Sequence, residues 1–224
     1  MNIFFLDDSI PNIASYHCDK HCVKMILETA QLLATTYRLQ KLSPVTELET
    51  RILPASTHAN HPCRLWTGAS KGNYLTLASI GVYLCREYTK RYSKTHVCEK
   101  IIKYLALQSE QLEFTNATSR EVTTPPICMF PAVKDTARKD FLYLTGLTES
   151  YLTVPEVANQ LVIYSYRFYY LTSKAHFAQW NYSAVPAWYA NNCPELGIVE
   201  TLQKLGLAVN QQLPAVDLSK YQAV

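Results

Sequence analysis

Residues 16–38 read YHCDKHCVKMILETAQLLATTYR, and their spacing decides the fold. His17, His21, Lys24, Glu28 and Gln31 recur at intervals of four, three, four and three residues, which places them on one face of an α-helix. Val23, Ile26, Leu27, Ala30, Leu33, Ala34 and Tyr37 form the complementary face and are expected to pack on the core. The polar stripe then borders solvent, a cleft or a ligand. A solvated face usually holds interchangeable Glu and Lys. This one holds two imidazoles, an ammonium, a carboxylate and an amide, a set suited to proton transfer near neutral pH. A helix surface with a few histidines is the competing reading.

The chain has 224 residues, 48% of them hydrophobic, enough for one substantial core or one core plus an appendage. Six glycines and the absence of alternating apolar runs argue against a sandwich or barrel. The expected fold is mostly α: a compact helical domain over residues 1–192, with a short N-terminal strand or arm at 3–6, and a small C-terminal appendage over 193–224. Ser9 and Pro11 mark a helix start, and that helical region runs to about Arg38. After a loop containing Pro44 and Pro54, Pro62 opens a second long helix that carries Trp66, Asn73, Leu77, Ile80 and Leu84 on one side and continues to about Tyr92. His58 and His61 sit just before it, where backbone amides would hold a phosphate, or where the rings make loop hydrogen bonds. A weaker helix is expected over 97–108, a loop or lid over 113–131, and helices over 134–147 and 155–171.

Formal net charge is only +3, so its distribution matters more than its size. Arg86, Lys90, Arg91, Lys94, Lys100 and Lys103 meet only Glu87 and Glu99, with Tyr88, Tyr92 and Tyr104 interleaved, which reads as a phosphate-facing patch or as a basic helix end. The sixteen tyrosines fit a nucleobase-binding surface or interfacial core. Around Arg167 cluster Tyr164, Tyr166, Phe168, Tyr169 and Tyr170, followed by Trp180, Pro186, Trp188 and Tyr189, either core or a wall for an unpaired base.

Seven cysteines, no signal peptide and no long apolar run point to a reduced cytoplasmic compartment and no membrane. Cys18 and Cys22 beside His17 and His21 raise a zinc site, but Cys63, Cys85, Cys98, Cys128 and Cys193 are scattered, so no metal and no cofactor are expected. Nucleotide-binding glycine loops, HExxH and GxSxG are all missing.

Residues 16–33, YHCDKHCVKMILETAQLL, resemble the first helix of the phage pyrimidine-dimer DNA glycosylases of the endonuclease V type. There an aspartate, a polar residue and a histidine precede the catalytic glutamate by a fixed interval, matched here by Asp19, Lys20, His21 and Glu28. The later EYTKR at 87–91, and Pro186 followed by Trp188 and Tyr189, are also similar to that family. The chain is similar as well to uncharacterised phage-encoded proteins with a CDKH helix and an HPC segment leading into a tryptophan helix. Two positions depart from the pattern: Asn2 follows the initiator methionine where the family has a small residue, and Leu27 replaces an arginine.

The resemblance implies a phage protein acting in the host cytoplasm as a DNA N-glycosylase on damaged or modified double-stranded DNA, a repair activity with possible strand scission. Glu28 would be the catalytic carboxylate, His21 would move a proton, Lys24 would hold a phosphate, and the amine of Met1, or Lys20 or Lys24, would be the nucleophile. His17, Lys20, His58, His61, Asn73, Arg86, Lys90, Arg91, Lys94, Arg167, Trp188 and Tyr189 are the expected DNA contacts around a flipped base. Two other classes are weighed beside it: a non-catalytic DNA-binding or host-takeover protein, and a metal-dependent hydrolase using His17, His21, His58 and His61.

Overall fold

The computed structural model describes residues 1–116, 121–207 and 209. Among them are ten α-helices, three short 3-10 or π turns and no strand; an isolated antiparallel bridge joins Lys41 and Leu112. The fold is mostly α. Residues 3–6 are buried but irregular, and Phe4 has a φ of 48°, which a continuous strand does not allow. No helix of the described residues is long and apolar enough to cross a membrane.

Contacts divide the chain into two compact units, Met1–Ile3 with Ser9–Thr123, and Phe4–Asp8 with Thr124–Val224. Within the second unit α10 (Ile198–Lys204) packs on α8 (Pro155–Tyr169). Residues 208 and 210–224 of the expected appendage lie outside the described residues.

In the first unit, α1 (Ile10–Tyr16) and α2 (Asp19–Gln40) replace the one helix expected from Pro11 to Arg38. His17 and Cys18 are extended between them. The carbonyls that a continuous helix would have paired internally are taken by Arg91, which donates to Ser15 O at 2.9 Å and His17 O at 2.8 Å. After α3 (Glu47–Ile52), the second expected helix is likewise split, into α4 (Pro62–Thr67) and α5 (Lys71–Tyr92). At the break Gly68 O accepts from Gln40 Nε2 at 2.9 Å and Thr115 N–H at 3.2 Å, while Ser70 caps α5 by accepting from Asn73 N–H. The helix at 97–108 is α6 (Glu99–Leu107).

α2 packs on α4, α5 and α6, so its buried arc is wide and rotated from the expected one. Met25, Thr29, Leu32 and Thr36 are buried, whereas Val23 and Leu27 lie exposed beside Lys20 and Lys24. The close approach of α5 rests on Gly81, where an added Cβ would meet Thr29 Cγ2 at 2.8 Å.

The second unit pairs α7 (Pro131–Thr145) with α8, whose residues 160–169 are all buried. α8 runs into a π turn, Tyr170–Lys174, and short helices α9 (Ala187–Ala190) and α10 complete the unit.

Candidate functional site

The stripe that opens the sequence reading does not lie uniformly at the surface. His17 and His21 are buried, Lys24 is exposed, and Glu28 and Gln31 are half-buried. His17 Nδ1 donates to Ile13 O at 2.7 Å, and burial lowers its pKa to about 4, against the raising effect of that bond and with the Arg91 charge adding to the drop. Its ring is therefore a neutral corner piece between α1 and α2. His21 lies 6.4 Å from it, centroid to centroid.

Glu28 Oε1 pairs with Lys24 Nζ at 3.0 Å, one helical turn back; the glutamate side chain is 12% exposed and the lysine 65%. Glu28 and His21 are two turns apart, about 10 Å along the axis, so they meet only through a substrate or water.

At the start of α4, His61 Nδ1 accepts from Cys63 N–H at 3.1 Å, and His61 Nε2 stands 3.3 Å from the amine of Met1. Burial first, then the positive terminus and His58, lowers the His61 pKa to about 4. A neutral ring whose Nδ1 accepts carries its proton on Nε2. His58 is exposed, has a φ of 53°, and shares a 2.5 Å hydrogen bond between its Nδ1 and Thr57 Oγ1.

This arrangement corrects the phosphate site expected before Pro62. The His61 ring itself caps Cys63 N–H, and Arg64 and Leu65 N–H both bond His61 O, so that turn's amides are already paired.

Four other expected DNA contacts are built into the interior. Arg91 is buried, with hydrogen bonds to Glu87 Oε1 at 2.8 Å, Asp19 Oδ1 at 3.1 Å and two carbonyls; it fastens the α1–α2 corner to α5 and does not face a phosphate. Asn73 spends its amide on Trp66 O, Thr123 Oγ1 and Thr123 N–H, each at 2.8 to 2.9 Å, pinning residues 121–123 of the segment expected as a loop or lid. Arg167 is buried and donates to Leu6 O, Pro194 O, Leu196 O and Asp7 Oδ2. Trp188 is 2% exposed, packed edge-on to Tyr170 and beneath the Arg167 guanidinium at 5.5 Å. Tyr189 is half-buried against Trp180, with ring centroids 4.5 Å apart.

The basic patch survives without Arg91. Arg86, Lys90, Lys94 and Lys100 are exposed, with Arg86 stacked over Tyr83 at 4.8 Å. Lys20 is exposed on α2.

Among the described residues no three His, Cys, Asp or Glu side chains gather as a metal ion requires. The Cys22 thiol is pushed up to about 12, chiefly by burial, far from a zinc-ready thiolate.

One polar centre escaped the sequence reading. Glu49, on α3, accepts from Tyr37 Oη at 2.5 Å, Tyr104 Oη at 2.9 Å, Lys41 Nζ at 2.7 Å and Thr46 N–H at 2.7 Å. Its only local signal is the capping box formed by Thr46 and Glu49.

No family model, no curated protein and no solved structure matches this chain.

Proposed function

We propose that the chain is a DNA N-glycosylase that removes a damaged or modified base from double-stranded DNA, with Glu28 as its catalytic carboxylate. The supporting observation is that Glu28 is largely withdrawn from water while its charged partner, Lys24, stays two-thirds exposed and easily displaced. The buried carboxylates Asp19, Glu87 and Glu49 are instead committed to fixed donors. A sheltered carboxylate with free acceptor capacity stabilises the positive charge that develops on the sugar as the base departs.

Water adds to C1′ as the C1′–N bond breaks, and the base leaves with the bonding electrons. Glu28 takes the surplus proton of that water and the departing base is protonated in turn, so the products are a free base and a sugar hydroxyl. Attack by the Met1 amine is the other route: C1′–N to the amine forms as C1′–N to the base breaks and one amine proton passes to the base; the C1′–O4′ bond then opens as the second amine proton passes to O4′, and the resulting imine permits strand scission. Exposed Arg86, Lys90, Lys94 and Lys100 supply phosphate contacts.

The test is release of bases from ultraviolet-irradiated and hypermodified duplex DNA in the presence of a chelator, followed by chromatography and alkali-sensitive nicking. Release in chelator is the expected result, and borohydride trapping separates water attack from amine attack. Salt-dependent binding with no release would leave a non-catalytic DNA-binding protein, and release that the chelator abolishes would leave a metal-dependent hydrolase.

A further inference from the structure

Lys174 ends the π turn that follows α8, a kind of irregularity often found at functional positions. Its ammonium lies 4.6 Å from the centroid of Tyr169 and 5.7 Å from that of Phe177. Lys174 is half-buried, yet among the described residues Nζ has no carboxylate or hydrogen-bond partner; aromatic faces alone hold it. Its positive charge is thus set in place and left for an anion from outside.

Phe130 stacks on the same Tyr169 ring, with centroids 5.2 Å apart and planes 26° from parallel. Tyr169 is buried and Phe130 is 42% exposed, so the pair forms a ledge with a rigid inner ring and an open outer one. The 5.2 and 4.6 Å distances share one reference ring, which keeps Phe130 and Nζ within about 10 Å, a span within the reach of one nucleotide. An exposed large aromatic beside an unneutralised cation suits a ligand that is flat at one end and anionic at the other.

We infer that Phe130 and Lys174 form a nucleotide-binding ledge, on which an unpaired base of single-stranded or locally opened DNA stacks against Phe130 while its phosphate meets Lys174. The site takes over the stacking role that the sequence reading gave to Trp188 and Arg167, which are buried. It rests on the proposed function only for the choice of DNA as the ligand.

The experiment is fluorescence titration of a single-stranded oligonucleotide containing 2-aminopurine, across a salt series, with the full chain and with Phe130→Leu, Lys174→Gln and Lys174→Arg. Wild type is expected to bind and to quench the probe. Phe130→Leu should weaken binding about tenfold and remove most of the quenching. Lys174→Gln should reduce the slope of log affinity against log salt by about 0.7, and Lys174→Arg should restore it. Among the described residues Lys174 carries no ion pair, so its variants test the ledge without removing a salt bridge. Absence of binding by the wild type, or variants that bind and quench as the wild type does, would overturn the inference. Base release that depends on Glu28 alongside unaltered binding by these variants would remove the ledge and keep the glycosylase. Binding that depends on Phe130 and Lys174 with no base release would do the reverse.

Discussion

Glu49 and Glu28 are both acids of the first unit withdrawn from water, and they are held in opposite ways. Glu49 is 5% exposed and faces two phenols, a buried ammonium and a backbone N–H. Burial alone would raise its pKa, but donation from Lys41, Tyr37 and Thr46 outweighs that and holds the carboxyl far below the usual range. Tyr37 and Tyr104 are pushed up to about 12, by burial first and then by that carboxylate. Such a group is a structural node with no lone pair to spare. Among the described residues Glu28 has one largely hydrated ammonium beside it, and in the proposed function that is what distinguishes an acid kept for a ligand from one spent on the fold.

Replacing each acid by its amide sharpens the contrast. Glu49→Gln leaves the Lys41 ammonium buried without its counter-charge, and urea denaturation should show a loss of about 3 to 5 kcal/mol. If the loss is under about 1 kcal/mol, the node is not structural.

The next effect is a pH dependence. The His17 pKa is about 4 in the folded chain and about 6.5 when unfolded, so the unfolded state binds more protons between those values. Stability attributable to His17 is fully present above about pH 6.5 and is lost as pH falls toward 4, reaching about 3 kcal/mol. His61 shifts in the same direction. Denaturation curves at pH 7, 5.5 and 4.5 check the sign, and a curve that rises toward acid would contradict it.

Gly68→Ala should cost about 1 to 3 kcal/mol, because its Cβ would meet Gln40 Oε1 while Gln40 Nε2 is anchored to Gly68 O at 2.9 Å. The smallest change belongs to Glu28→Gln, whose stability should stay within about 0.5 kcal/mol of wild type by the same denaturation assay. A larger loss would erase the distinction between the two acids.

The helical fold was legible because 3.6-residue spacing reports burial, and Pro62 and Pro155 do sit in first turns, whereas Pro131, assigned to the preceding loop, opens α7. The two helix breaks were not legible. Each is fixed by partners distant in sequence, Arg91 for the first and Thr115 with Gln40 for the second. For the same reason Arg91, Asn73 and Arg167 read as surface donors although their bonds reach 50 to 161 residues away. The Glu87 and Arg91 pair, one turn apart on α5, was a local sign that this arginine was engaged. Val23 and Leu27 were misplaced because three neighbouring helices, not one, set the buried arc of α2.

The central claim is tested most directly by single-turnover base release from damaged duplex DNA, measured for wild type and Glu28→Gln at matched DNA occupancy. The account predicts a loss of at least about a hundredfold in release with binding and stability unchanged. Release by Glu28→Gln at the wild-type rate would contradict it.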